Sequence, residues 1–292
     1  MHRVRAHVLA GIVGIAVVLP ASAGQAAAAQ FSTGTRRALT SIVVSGMGAG
    51  GIPGMTVGVW VPGQGSFVRA FGTSSLSTGR PLRLDDHFRI ASISKSFTAT
   101  AILRLADQHK LSLSDPLSRY IPGIQNGDLI TVAQLLDMTS GVYDYVDDPA
   151  VLRAYDRNPL RRFSLRDVVA IIKRHRPLFA PGADVRYDNS NYYLLGAIAE
   201  KVTHTPLGAT IESQILRPLG LRHTSYPTTA ALPVPFSRGY LDQPDFPPRD
   251  VTASNPAFAG GAGAMISTLA DLKVWAKALA TGSLLAPATH AL

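Results

Sequence analysis

The chain has 292 residues, 46% of them hydrophobic and 16% charged, which suits a large folded domain and excludes an intrinsically disordered polymer. Without cysteine it has no disulfide, no thiolate metal site, no cysteine nucleophile and no lipid anchor on a cleavage-site cysteine. The formal charge of +9 comes from scattered arginines without aromatic interleaving, a pattern that argues against nucleic acid and suits an anionic cell-wall surface.

The N-terminus has the order of a secretory signal. Arg3 and Arg5 precede an apolar run from Val8 to Leu19, followed by Pro20 and Ala21-Ser22-Ala23. That run is shorter than the roughly 20 residues needed to span a bilayer, and no later segment is apolar enough to cross one. The expectation is a signal peptide over 1–29, cleaved after Ala23 or within Ala26–Ala29. A secreted, extracytoplasmic domain over 30–292 would follow, with no stable membrane span.

Gly34–Val44 reads as a short helix broken by the glycines of Gly46–Gly54. The spacing of Gly46, Gly48 and Gly51 matches a dinucleotide fingerprint. Pro53-Gly54 and a strand follow it, however, where that motif needs a helix, so it reads as a connection. Two β-branched and aromatic runs within Met55–Thr73 flank Pro62-Gly63-Gln64-Gly65 and predict a hairpin. From Ser92 to His109 the pattern turns helical, with Phe97, Ala101 and Leu105 four apart and Ile102 beside them. Further helices are expected at Thr131–Met138, Ser164–His175, Asn191–Val202, Pro206–Leu216 and Thr268–Leu279. Tyr226–Asp250, with six prolines, reads as an irregular surface segment.

The stretch RIASISKSFTA places three serines around one lysine. Only Ser92 precedes Lys95 by three residues, nearly one helical turn, so the two side chains share a face. A serine hydroxyl is a poor nucleophile until a neighbour takes its proton, and a partly buried lysine amine suits that task. Ser94 and Ser96 are left as ordinary helix residues. Tyr187-Asp188-Asn189 forms a Tyr-x-Asn ahead of another apolar helix. No Gly-x-Ser-x-Gly elbow, Walker A loop or His-Glu-x-x-His is present, and the histidines are dispersed. An α/β-hydrolase, a P-loop enzyme and a metal centre are therefore not expected, and no cofactor is called for.

From about Pro53 to Gly282 the chain resembles the serine β-lactamase and D-alanyl-D-alanine carboxypeptidase superfamily, in its class C β-lactamase-like branch. The blocks that carry the likeness are RIASISKSFTATAIL, LSLSDPLSRYIPG, ITVAQLLDMTSGV, FAPGADVRYDNSNYYLLG, LRPLGLRHTSYP and GGAGAMISTLADL, in the family's order. The resemblance implies an α+β fold with a helical region inserted into an antiparallel-sheet α/β domain. It also implies Ser92 as the acylated nucleophile and Lys95 as its proton acceptor or hydrogen-bond partner. Tyr187 would carry the proton to the leaving group, and Asn189 would orient substrate and Lys95. Serine, lysine and tyrosine titrate as one unit in such sites, which leaves the identity of the general base open. Substrates implied are D-alanyl-D-alanine peptides, β-lactams or esters, including peptidoglycan peptides.

One family element is not found. The third motif, Lys or His followed by Thr and Gly on a late strand, has no match; His204-Thr205-Pro206 comes too early and lacks the glycine. The resemblance places one oxyanion donor on Ser92 and the second on that strand, and losing one such donor costs about 10²–10³ in rate. The sequence thus carries two expectations: a secreted serine hydrolase, or a truncated, catalytically impaired homologue with an incomplete sheet that binds peptidoglycan-like ligands.

Overall fold

Ser32 starts the first helix, its Oγ accepting the Thr35 N–H at 3.1 Å, in a computed structural model that describes residues 31–243 and 246–292. The signal-peptide expectation over 1–29 lies outside the described residues. Helix α1 (Thr33–Ala49) does not break at Gly46, where the glycine pattern placed its end, but runs through Gly46 and Gly48. Glycine inside a helix costs about 1 kcal/mol relative to alanine without forbidding helical dihedrals. The helix stops where Gly51 takes φ +59° and Pro53 follows.

The expected hairpin is present. Strands β1 (Gly54–Val61) and β2 (Gly65–Gly72) pair antiparallel from Gly54↔Gly72 to Val61↔Gly65, and Gly63 at φ +74° closes the turn. Then come β3 (Phe88–Arg89), α2 (Ser94–Asp107), α3 (Val132–Leu136), α4 (Pro149–Arg157) and α5 (Leu165–Arg174). Helix α4 was not among the expected elements; Asp148 caps it, its Oδ1 accepting from Ala150 N at 2.7 Å, with Pro149 in its first turn. Helix α6 (Asn189–Thr203) is followed by α7 (Leu207–Ile211), which continues through a π-helical turn, Glu212–Leu216, into α8 (Arg217–Leu219).

Tyr226–Asp250 is not wholly irregular. It holds a second antiparallel hairpin, β4 (Tyr240–Gln243) with β5 (Phe246–Asp250), Tyr240 facing Asp250. Pro247 and Pro248 hid the strand, since proline is confined to edge strands, where its missing donor faces no partner. Elements β6 (Ile266–Ser267), α9 (Leu269–Thr281) and α10 (Pro287–His290) complete the described chain.

The chain divides into two compact units. The first holds the described residues up to Arg89 together with Leu232–Thr252 and Ser267–Thr281. There α9 packs against β1, and the Lys273 ammonium lies 4.8 Å over the Trp60 ring. The second unit holds Ile90–Ala231, Ala253–Ile266 and Gly282–Leu292. Its core is the α2–α6 contact: Phe97, Ala101, Ile102 and Leu105 from α2 are buried, as are Leu194, Leu195, Ile198 and Ala199 from α6. Every candidate site residue lies in this second unit. Helices with small antiparallel sheets give the mixed α+β class expected.

Candidate active site

Ile90 N–H donates to Met265 O at 3.0 Å, and the next residue, Ala91, takes φ +43°. A left-handed alanine costs on the order of 1 kcal/mol or more, and such strain clusters at functional sites. It prevents α2 from extending back over Ser92. Residues Ala91–Ile93 instead form a 3₁₀ turn, and the helix begins at Ser94. The one-turn spacing survives, because side chains three apart are eclipsed in a 3₁₀ turn. Ser92 stays exposed while Lys95, on the buried face of α2, is only 5% exposed.

The three Lys95 Nζ donors each meet one acceptor: Ser92 Oγ at 3.2 Å, Asn189 Oδ1 at 2.8 Å and Ala262 O at 3.0 Å. The face of the Tyr187 ring lies 4.7 Å from the same nitrogen, and Tyr187 itself is 57% exposed. The structure thus gathers Ser92, Lys95, Tyr187 and Asn189 around one nitrogen. The other serines are structural: buried Ser94 accepts Met265 N–H at 3.0 Å, and Ser96 Oγ donates to Ile93 O at 2.7 Å.

Asn189 opens α6, with Asp188 as N-cap accepting Asn191 N–H at 3.1 Å. This start is two residues earlier than the expected Asn191. Behind Asn189 lies Asp144, a carboxylate that the sequence pattern did not single out. Its Oδ2 accepts both the backbone N–H and the Nδ2 of Asn189, each at 3.0 Å. Burial raises the pKa of Asp144, and burial together with the Asp144 charge pushes Asp188 up to about 8.

The third Lys95 acceptor, Ala262 O, was also not foreseen, because a backbone carbonyl has no residue-type signature. An aromatic cluster holds the segment that carries it. Tyr145 OH donates to Phe258 O at 2.5 Å and Tyr193 OH to Ala257 O at 3.1 Å, while the Tyr145 and Phe163 rings pack edge-on against Phe258 and Tyr145 packs edge-on against Tyr193. The available signal was Gly260-Gly261: a Cβ on Gly261 would lie 2.6 Å from Tyr192 O, so only glycine lets this backbone reach α6. Gly261→Ala is expected to displace the Ala262 carbonyl from Lys95, costing about 1–3 kcal/mol as overpacking. A thermal melt and a Ser92 labelling assay check it, and an unchanged melt would refute the close-approach argument.

A serine hydroxyl beside a triply hydrogen-bonded amine, which also lies over an aromatic ring and against an anchored amide, is equipped for nucleophilic attack on a carbonyl. Among the described residues no three His, Asp or Glu side chains converge as a metal site.

Comparison with known proteins shows the family and the fold. A model of the Beta-lactamase family matches residues 39–292. "Protein flp" of Staphylococcus aureus (strain COL) is 28% identical over 256 residues, covering 85% of this chain and 49% of that protein. "Esterase EstB" of Burkholderia gladioli is 32% identical over 196 residues, covering 63% of this chain and 49% of the esterase. The chain therefore spans about half the length of the curated relatives it matches. Among solved structures, a D-stereospecific amidohydrolase from Streptomyces sp. superposes with TM-score 0.78 at 35% identity, over 87% of this chain and 76% of that one. D-amino acid amidase from Ochrobactrum anthropi SV3, complexed with L-phenylalanine amide, gives TM-score 0.76 at 26% identity over 88% and 73%.

Proposed function

This chain belongs to the beta-lactamase family, and from that premise we propose that it is a serine hydrolase working through an acyl-enzyme on Ser92. The observation that carries this reading is Lys95 Nζ, 3.2 Å from Ser92 Oγ and held there by Asn189 and Ala262. Ser92 Oγ attacks the substrate carbonyl, forming a C–O bond. The hydroxyl proton passes into the Lys95–Tyr187 pair and from there to the leaving amine or alcohol as its bond to carbon breaks. Water then gives its proton to the same pair and attacks the acyl carbon; the bond from that carbon to Ser92 Oγ breaks, the proton passes to Oγ, and the acid is released. Asn189 orients both Lys95 and the bound carbonyl compound, and the Ser92 backbone N–H is one oxyanion donor.

The substrates proposed are D-alanyl-D-alanine peptides, β-lactams or esters. An esterase and two enzymes acting on D-configured amides among the similar proteins support small ester and amide substrates of that kind. The basic start and apolar run of residues 1–19 support export, and the positive charge supports work near an anionic cell wall.

Purified protein is incubated with a labelled penicillin, a chromogenic ester and D-phenylalanine amide, and its intact mass and turnover are followed. The hydrolase reading expects a covalent adduct or turnover that Ser92→Ala abolishes. A folded protein that binds muropeptides but gives neither adduct nor turnover would favour the non-catalytic homologue instead.

A further inference from the structure

Asn189 is held at both ends. Its Oδ1 faces Lys95 Nζ at 2.8 Å, and its Nδ2 faces Asp144 Oδ2 at 3.0 Å. An asparagine amide is nearly symmetric in shape but not in chemistry, since one end accepts and the other donates. A flipped Asn189 would set a donor against the Lys95 donors, so the side chain needs an acceptor behind it to fix its sense. Asp144 supplies one, and its grip on the Asn189 backbone N–H ties that acceptor to the start of α6.

The segment carrying Asp144 is itself fastened on both sides. Ser190 Oγ donates to Tyr143 O at 2.8 Å and accepts Tyr145 N–H at 2.9 Å, so consecutive residues of α6 hold the residues before, at and after position 144. Asp144 is 4% exposed and Ser190 is fully buried. The ionisable groups around Asp144 are few. From its own segment come Tyr143, Tyr145, whose hydroxyl is bound to Phe258 O, and Asp147, paired with Arg186 at 2.8 Å. From α6 comes the cap Asp188, and from α2 comes Lys95, reached through the Asn189 amide. Val146 N–H adds a third donor to Asp144, at 3.3 Å from Oδ1. Burial raises the pKa of both carboxyls of this pair, and the three N–H donors on Asp144 favour its charged form.

We propose that Asp144 is a positioning residue of the acyl-transfer site: its carboxylate, gripping both N–H groups of Asn189, turns that amide so that its oxygen faces Lys95 and keeps the amine beside Ser92. The proposal rests on the serine-hydrolase reading for its consequence in rate, but its geometry is open to an independent measurement.

The test compares the full chain with its Asp144→Ala and Asp144→Asn variants, each checked for folding by circular dichroism. Loss of alignment at a reacting centre costs about 10²-fold, so Asp144→Ala should lower the rate constant for Ser92 acylation by labelled penicillin about that much, with its binding constant unchanged. Asp144→Asn keeps an oxygen in place and should recover about tenfold of the loss, which a general loss of stability would not produce. Equal acylation rates in wild type and Asp144→Ala overturn the proposal. Side-chain amide exchange by NMR reads the same point without activity. In the wild type one Asn189 Nδ2 proton should be protected, and in Asp144→Ala both should exchange freely. A freely exchanging wild-type amide overturns the proposal even if Ser92 is acylated. A protected amide in a protein that never acylates upholds the positioning and fails the hydrolase reading instead.

Discussion

Replacing Lys95 with methionine lowers the rate of Ser92 acylation by about 10²–10⁴-fold, the range typical of a lost proton-transfer partner, and leaves the fold intact. Methionine matches the unbranched stem of lysine, so the buried path along α2 stays filled. What disappears is the nitrogen at the centre of the site, 3.2 Å from Ser92 Oγ. Two opposing effects set the stability. Asn189 Oδ1 and Ala262 O lose their donor, each costing about 1–3 kcal/mol when buried. Against this, the polar head of Lys95 no longer has to be withdrawn from water into a site that leaves the residue 5% exposed. The net change in stability is therefore small while the loss of activity is large. Lys95→Arg does not rescue the rate, because a planar guanidinium cannot aim three donors at Ser92, Asn189 and Ala262 from the lysine position. Labelling rate by intact mass and the thermal midpoint by circular dichroism separate the two effects. A Lys95→Met protein acylated at the wild-type rate would remove Lys95 from the proton path.

The parts of this site legible in the sequence are those written as short-range spacing on a helix. Ser92 and Lys95 could be paired because three residues bring side chains together in an α-helix and in the 3₁₀ turn that is actually present. Tyr187 and Asn189 could be placed through their Tyr-x-Asn spacing at the start of an apolar helix, to which the family resemblance gives a role. Asp144 could not, since it comes from a segment 45 residues upstream and reaches Asn189 only after the chain folds. Neither could Ala262 O, whose position depends on packing between Gly261 and Tyr192 O. The same division holds for the fold. The β1–β2 hairpin announced itself through two β-branched runs and a glycine turn, whereas the β4–β5 hairpin was masked by prolines that an edge strand tolerates. Helix α1 crossed two glycines because an extra kcal/mol or so each is tolerable in a helix of 17 residues capped by Ser32.

Asp188→Asn should make the protein more stable in alkaline solution, an unusual result for a change inside the Tyr187–Asn189 motif. Asp188 is 2% exposed, and burial, then the neighbouring Asp144 charge, push its pKa from 3.8 up to about 8. The folded state therefore binds a proton that the unfolded state releases throughout the interval between those values. Stability from this group is fully present below pH 3.8 and is lost progressively as the pH rises through 8. Each pH unit of that interval is worth about 1.4 kcal/mol. Sharing of the proton between the two carboxyls reduces the whole effect to a few kcal/mol. Asparagine caps helices as well as aspartate does, so its side-chain oxygen keeps the Asn191 N–H bond, and its neutral amide removes a second negative charge from the neighbourhood of Asp144. Thermal melts of both proteins from about pH 4 to 9 make the comparison, and their difference isolates this residue from every other titrating group. The curves should coincide near pH 4 and diverge steadily above it, reaching about 5–10 °C in favour of Asp188→Asn at about pH 9. Parallel curves would mean that Asp188 is ionised in the folded protein, and the proton of the buried pair would then reside on Asp144. Asn189 would in that case rest against a neutral acid, whose weaker grip would show as faster exchange of its side-chain amide.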